Sequence, residues 1–213
     1  MELWHAWTDL LGSILNTLAL DWGLGAGLAI IVVTVAVRLM LMPLTWTLAW
    51  RGALRQAQHA KLAPEIARIR ERHASEPRAQ MEQIAELYRR HGVSLADGKC
   101  LLGGLAQIPV IYGLYRALSN AAVGGRFLWI RDLARPDVLL AIVAALTTAA
   151  SMAVAPHLSE QTRVMMIVLP AVLCLMAAAH FSSGVGLYWI TSNLISTAQT
   201  LVLRSRLRRS GLL

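Results

Sequence analysis

The sequence predicts an all-α integral membrane protein with five transmembrane helices around a polar groove, a cytoplasmic helical hairpin and an N-terminal interfacial amphipathic helix. Of its 213 residues, 56% are hydrophobic, and the mean hydropathy of +0.54 is too high for a soluble domain of this size. The charged residues, 15% of the chain, cluster between apolar runs. Arg38 lies near the middle of one such run, where a charge costs about 3 kcal/mol on insertion scales.

Residues 1–20 are predicted to form an amphipathic helix that lies in the membrane surface. The alternative is an ordinary amphipathic helix packed on the rest of the protein. Glu2 and Asp9 are acidic and no basic segment precedes the apolar residues, so a secretory signal is not expected. Apolar residues recur at helical spacing at Leu3, Trp7, Leu10, Leu11, Ile14, Leu15 and Leu18.

The first transmembrane helix is predicted over residues 22–50, with Arg38 about halfway across. A guanidinium in that position reaches the headgroups poorly, so we expect the other helices to surround Arg38 with a polar, hydrated cavity. The alternative is a distorted helix that tolerates the charge. Arg38 is therefore the first candidate functional residue.

Residues 51–99 are predicted to form a helical hairpin in water. Two narrow apolar stripes at helical spacing favour antiparallel packing of its two arms. Ser75 is expected to cap the second arm, Pro77 to lie in its first turn and Gly92 to end it. The many arginines of this segment predict a cytoplasmic location.

Residues 100–203 are predicted to hold four more transmembrane helices, over residues 101–118, 138–155, 164–181 and 185–203. The tail, 204–213, is basic. Five spans with a cytoplasmic hairpin place the N-terminus outside and the C-terminus in the cytoplasm. Cys100 and Cys174 predict neither a disulfide nor a metal site. External Arg126, Arg131 and Arg135 run against the charge rule, and Asp132 and Asp137 are candidate partners for them.

Several stretches, in order from about residue 22 to 204, resemble the YidC/Oxa/Alb family of membrane protein insertases. Each motif alone is weak, but the shared order of five is specific. The turn before the second span keeps Cys100 but lacks the proline that is typical of the family, and Arg131 stands where the family often has proline. A short form without a large extracytoplasmic domain is expected, either a housekeeping insertase or a specialised paralogue. The matching stretches are residues 34–45, 62–66 with 86–93, 107–118, 127–137 and 186–193.

The resemblance implies a groove that is open to the cytoplasm and to lipid and closed on the outside. A hydrophilic part of a substrate would enter the groove while its apolar segment passes into lipid. The alternative for each polar residue near Arg38 is a helix–helix hydrogen bond within the bundle. The residues predicted to share the cavity with Arg38 are Thr34, Gln107, Trp189, Ser192 and Asn193.

The predicted function is that of a membrane protein insertase in the bacterial cytoplasmic (inner) membrane, and not that of an enzyme. No nucleotide-binding loop, metalloprotease motif or catalytic triad stands in a supporting context, so no cofactor is expected. The expected partners are newly made membrane proteins and anionic lipids, with the ribosome and the Sec translocon as further candidates and no DNA. A non-inserting scaffold or assembly chaperone, or a small anion transporter, remain alternatives. The hairpin and tail residues predicted to make contacts are Arg68, Arg70, Arg72, Arg204, Arg206, Arg208 and Arg209.

Overall fold

The computed structural model describes residues 2–92, 112–113, 125–154 and 160–209. The described residues form helices and contain no β-strand beyond an isolated bridge between Phe127 and Ile130. The all-helical class predicted from the sequence is therefore confirmed for this part of the chain. The helices are α1 (Glu2–Asn16), a π-helical run (Thr17–Asp21), α2 (Gly25–Met40), α3 (Met42–Arg72), α4 (Pro77–Arg90), α5 (Val138–Val154), α6 (Glu160–Ala178) and α7 (Ser183–Arg209).

Helix α7 is the centre of the bundle, because it packs on α2 along one side and on α5 along another, while α5 also packs on α6. Leu187 and Tyr188 of α7 are buried in one apolar cluster with Ile30 of α2 and Leu140 of α5. The approach of α5 to α7 is close, since a Cβ atom on Gly186 would lie 2.8 Å from Cδ2 of Leu140. The core therefore lies between α2, α5 and α7.

The N-terminal helix packs its apolar face on this core. Leu11 and Leu15 are 2% and 0% exposed and belong to the same cluster as Ile30. Leu10 and Ile14, on an adjacent face, are 52% and 39% exposed. Packing on the protein was the alternative raised for residues 1–20, and it accounts for the buried leucines. The position of this helix in the membrane surface stays a prediction. In that position the exposed Leu10 and Ile14 would contact lipid.

The segment predicted as one transmembrane helix over residues 22–50 is broken. Helix α2 ends at Met40, α3 begins at Met42, and their axes differ by 60°. Pro43 explains the break, because it has no N–H to donate to the carbonyl of Leu39, whereas its fixed φ suits the first turn of a new helix. Helix α3 then continues without interruption to Arg72, so the predicted boundary at residue 50 lies within a helix.

The polar hairpin is present as the second half of α3 and α4. Gln80 Nε2 donates to the backbone carbonyl of Arg70 over 3.3 Å, which joins the two arms. Pro77 lies in the first turn of α4, and Gly92 adopts a φ of 63° just past its end, as predicted. The expectation that Ser75 caps α4 is wrong, because the N-cap is Glu76 and no side chain bonds the free N–H groups there.

Residues 125–137 form a compact turn across the starts of α2, α5 and α7. Phe127 packs directly on Gly27 of α2. Ser183, the first residue of α7, donates its backbone N–H (2.9 Å) and its hydroxyl (2.6 Å) to the carbonyl oxygen of Arg135. Helices α2, α5 and α7 therefore begin at the same end of the bundle, as expected for the first, third and fifth of five predicted spans.

The acidic residues of this turn have different partners. Arg135 Nε lies 3.4 Å from Asp132 Oδ2, which confirms one of the ion pairs considered from the sequence. Asp137 Oδ1 instead accepts the backbone N–H of Leu140 over 2.8 Å and so caps α5. In a partly exposed pair such as Arg135 with Asp132, the gain in stability is about 0–1 kcal/mol.

Among the described residues, no single helix is both long and apolar enough to cross a bilayer alone. The bent pair of α2 with the first part of α3, through Arg55, meets the requirements of length and composition when taken together, and α5 and residues 163–178 of α6 are shorter apolar helices. The segment predicted as the second span, residues 101–118, lies almost entirely outside the described residues. The number of transmembrane helices remains a prediction.

Candidate functional site

Arg38 lies in the last turn of α2, three residues before the 60° bend at Leu41. Its side chain is half-buried, and Nε donates to the hydroxyl oxygen of Ser192 on α7 over 3.2 Å. Ser192 itself is 0% exposed. The structure therefore brings together two residues that are 154 positions apart and that the sequence assigned to one cavity.

No carboxylate forms an ion pair with Arg38 within the described residues. The sequences of α2, α5 and α7 contain no Asp or Glu. A guanidinium has five N–H donors, and Ser192 accepts from one of them. An uncompensated buried charge is costly, so this arrangement is suited to hold an anionic group that comes from outside the bundle.

Thr34 lies one turn before Arg38 on α2 and is 0% exposed. Its hydroxyl donates to the carbonyl oxygen of Ile30 over 2.6 Å, a local bond within the helix. The proton of the hydroxyl is thereby used, and no second helix is involved in this bond. A role for Thr34 in contact with a substrate stays a prediction.

Trp189 and Asn193 lie on α7 but meet different surroundings. Trp189 is half-buried and packs against both the α2–α7 cluster and a second apolar cluster formed by α5 and α6. Asn193 Nδ2 donates to Thr148 Oγ1 on α5 over 2.7 Å. For Asn193 the structure thus records the helix–helix hydrogen bond that was the alternative. Gln107, the remaining predicted groove residue, lies outside the described residues.

Sequence reasoning missed Thr148 of α5, which is 6% exposed. Besides accepting from Asn193 of α7, its hydroxyl donates to the carbonyl oxygen of Ala144 over 2.8 Å. The signal that was available is a pair of threonines, Thr147 and Thr148, in an otherwise apolar run.

The basic tail is a continuation of α7 through Arg209. Arg204 Nη1 donates to the carbonyl oxygen of Val154, at the end of α5, over 2.8 Å. The guanidinium of Arg206 lies 5.2 Å from the ring centroid of Trp46 on α3, within the range of a cation–π contact. Arg208 and Arg209 are exposed.

The extension of α7 is fixed to α3 by an apolar contact. Leu203 and Leu207 are 5% and 1% exposed and cluster with Ala53 of α3, and Trp46 and Trp50 pack against them. The part of α3 that leads into the hairpin is therefore packed on α7. Two of the four tail arginines, Arg204 and Arg206, also contribute to this end of the structure.

The hairpin arginines lie outside this contact. Arg68, Arg70 and Arg72 are exposed along α3. On α4, the hydrogen bonds from Arg90 and then Arg89 lower the pKa of the Glu86 carboxyl, with N–O distances of 2.9 Å and 2.7 Å. The hairpin surface therefore presents these three exposed arginines on one arm and the ion pairs of Glu86 on the other.

A family model described as "60Kd inner membrane protein" matches residues 17–210, nearly the whole chain. The chain belongs to this family. The curated relatives of the chain carry the name membrane protein insertase YidC, so the resemblance to the YidC/Oxa/Alb family is confirmed. The family description refers to the inner membrane, and these relatives come from bacteria.

Two relatives show the extent of the match. The membrane protein insertase YidC of Clostridium tetani is 29% identical over 182 residues, which are 83% of this chain and 80% of that protein. The protein of the same name from Geobacter metallireducens is 32% identical over 179 residues, 81% of this chain but 32% of that protein. The chain therefore spans most of one relative and about a third of the other.

Among solved structures, the chain is similar to an active YidC insertase crystal structure with the first transmembrane domain resolved. The TM-score is 0.64 at 24% sequence identity, and the match covers 91% of this chain and 45% of that one. At this level of identity the likeness supports the fold of the 60Kd inner membrane protein family and not a particular substrate.

Proposed function

We propose that the protein is a membrane protein insertase of the bacterial inner membrane. It receives a hydrophilic segment of a newly made membrane protein beside Arg38 and releases the apolar segment into lipid. Support comes from the family and from the names of the relatives. The observation that carries the mechanism is the half-buried Arg38, hydrogen-bonded to Ser192 and without a carboxylate partner in the described residues.

The positive charge supplies the attraction for the incoming chain. Two unit charges 4 Å apart attract by ~4 kcal/mol at an effective dielectric constant of 20, against ~1 kcal/mol in water. A half-buried site lies between these limits. Because no resident acid occupies the guanidinium in the described bundle, an acidic or polar tail can bind and leave again. A permanent ion pair between Arg38 and a resident acid would prevent this reversible binding.

Release into lipid needs no nucleotide. Burying apolar surface yields ~25 cal/mol per Å², so transfer of an apolar segment into the bilayer is downhill once its polar flank has crossed. Helix α6 presents large exposed apolar side chains that would lie against lipid or an apolar substrate segment. They include Val164, Leu169, Leu173 and Met176, at 52–60% exposure.

Partners outside the membrane are proposed for the basic cytoplasmic surface. Exposed Arg68, Arg70 and Arg72 of the hairpin, with Arg208 and Arg209 of the tail, suit anionic lipid headgroups or ribosomal RNA. The Sec translocon is a further proposed partner. In this arrangement the hairpin and the C-terminus lie in the cytoplasm and the N-terminus outside.

Insertion into liposomes tests the proposal. Purified wild type, Arg38→Ala and Arg38→Lys would be reconstituted and supplied with a single-span substrate whose translocated tail is acidic or uncharged. We expect Arg38→Ala to fold, as checked by thermal melting, and to fail on the acidic tail. Arg38→Lys keeps the charge but loses the planar fork, so partial activity is expected.

Arg131→Ala is the matched control, because it removes an exposed arginine from the external turn. Equal insertion of the acidic tail by Arg38→Ala and wild type would contradict the groove mechanism. Crosslinking from position 38 distinguishes an insertase from the scaffold alternative. A scaffold would hold one resident partner, whereas an insertase would capture newly made chains.

A further inference from the structure

The Thr148 hydroxyl makes two hydrogen bonds, one within α5 and one with α7. A threonine hydroxyl has one donor hydrogen and two acceptor lone pairs. The hydrogen goes to the Ala144 carbonyl at 2.8 Å, and the oxygen accepts from Asn193 Nδ2 at 2.7 Å. Since the residue is 6% exposed, water has little access to replace these bonds. One side chain therefore joins α5 and α7.

Asn193 is the neighbour in sequence of Ser192, the residue that contacts Arg38. Successive residues of an α-helix project about 100° apart around its axis. On α7 the two adjacent side chains accordingly face two different helices, Ser192 towards α2 and Asn193 towards α5. A rotation of α7 about its axis that separated Asn193 from Thr148 would also move Ser192 away from Arg38.

We propose that Thr148 and Asn193 are positioning residues for the Arg38 site. Their hydrogen bond sets the rotation of α7, so that Ser192 meets Arg38 and holds the guanidinium where an incoming acidic tail can bind. This inference rests on the proposed insertase function. It also has a purely structural part, the orientation of α7 relative to α2, which can be measured without any substrate.

The apolar contacts of α7 on its α5 side combine large and small side chains. Leu140 of α5 approaches Gly186, and Trp189 and Ile190 of α7 pack on a cluster that holds Ala141 and Ala144 of α5. Small side chains allow close approach of helices but define their rotation less sharply than a directional hydrogen bond does. The Asn193–Thr148 bond is the directional contact midway along this interface.

The test compares three variants of neighbouring threonines. Thr148→Val keeps the shape and loses the hydroxyl, and Thr148→Ser restores the hydroxyl. Thr147→Val is the matched control, because the Thr147 hydroxyl bonds only locally, to the Ala144 carbonyl at 2.9 Å. Each variant would be reconstituted and assayed for insertion of the acidic-tailed and the uncharged-tailed substrate.

We expect Thr148→Val to lower insertion of the acidic-tailed substrate about fivefold, the factor that corresponds to one net hydrogen bond. Insertion of the uncharged tail should change less than twofold. Thr148→Ser should recover most of the loss, and Thr147→Val should resemble wild type. In the double variant with Arg38→Ala, Thr148→Val should add no further loss, since both changes would remove the same interaction.

A structural readout makes the inference independent of transport. Spin labels at Leu39→Cys and Leu194→Cys, two exposed sites on α2 and α7, report the separation of these helices in a Cys100→Ser background. Thr148→Val should broaden the distance distribution, and Thr147→Val should not. The positioning role is overturned if Thr148→Val matches Thr147→Val in this distribution, or lowers insertion of both substrates equally. A different result would contradict the groove mechanism itself, namely full insertion of the acidic-tailed substrate by Arg38→Ala.

Discussion

The guanidinium of Arg204 donates to the backbone carbonyl of Val154 over 2.8 Å. Val154 is the last residue of α5, and the final carbonyls of a helix have no partner within it. A positive charge there also complements the negative end of the helix dipole. One residue of the basic tail therefore has a structural role at the end of the bundle.

Arg204→Ala is expected to destabilise the protein by about 1.5–3 kcal/mol, the range for hydrogen bonds that involve a charged group. Thermal melting in detergent, followed by circular dichroism, measures this effect. Arg208→Ala is the control, since Arg208 lies one turn further along α7 and is exposed. Equal melting temperatures for the two variants would show that the contact with Val154 contributes nothing.

The second arm of the hairpin should be less protected against hydrogen exchange than the bundle. None of the described side chains of α4 is buried, whereas Leu187, Tyr188 and Ser192 of α7 are at most 6% exposed. Local opening costs least where few apolar contacts are broken. Exchange mass spectrometry of the reconstituted protein measures both helices, and protection of α4 equal to that of α7 would refute this expectation.

Stability of α4 should depend on pH through Glu86. The pKa of Glu86 lies below its usual value of 4.5 because Arg90 and Arg89 donate hydrogen bonds to the carboxylate. A lowered pKa in the folded state means that the stabilisation is fully present above about pH 4.5 and is lost as the pH falls through the folded value. The carboxylate is exposed, so the effect should be small and weakened by salt.

Protection factors of α4 measured between pH 6 and pH 3.5 test this dependence. They should decline at the acid end in wild type, and the decline should be smaller in Glu86→Gln, which has no carboxylate to titrate. Glu82→Gln serves as the control, because Glu82 forms no ion pair within the described residues. The same acid response in Glu86→Gln as in wild type would exclude Glu86 as its cause.

The shared orientation of α2, α5 and α7 makes the predicted topology testable. With the external turn at the start of all three helices, the hairpin and the C-terminus should both face the cytoplasm. Reporter fusions after Arg72 and Leu213 measure the side of each. Reporter activity from opposite compartments would be incompatible with five spans.

Local sequence pattern predicted the helices better than it predicted the contacts between them. Helix α5, Val138–Val154, covers the described part of the third predicted span, residues 138–155. The break at Leu41 was missed because the apolar run continues across it, although Pro43 marks it. The bonds of Thr148 with Asn193 and of Val154 with Arg204 join residues 45 and 50 positions apart, a relationship that helical periodicity does not contain.

An acidic side chain placed permanently beside Arg38 should stop the guanidinium from attracting an incoming acidic tail. Ser192 lies 3.2 Å from Arg38 Nε, so Ser192→Asp would place a carboxylate within reach of the guanidinium. The two charges would form a half-buried pair whose attraction competes with that of any incoming acidic tail. Ser192→Asn is the matched control, because it has nearly the same shape and no charge.

We expect Ser192→Asp to lower insertion of an acidic-tailed substrate to the level of Arg38→Ala, with the uncharged tail little affected in both. Its melting temperature should equal or exceed that of Ser192→Asn, because each charge gains a partner. The liposome assay and thermal melting provide the two measurements. If Ser192→Asp remains well folded and still inserts the acidic tail at the wild-type rate, an unpaired charge at Arg38 is not what receives the substrate.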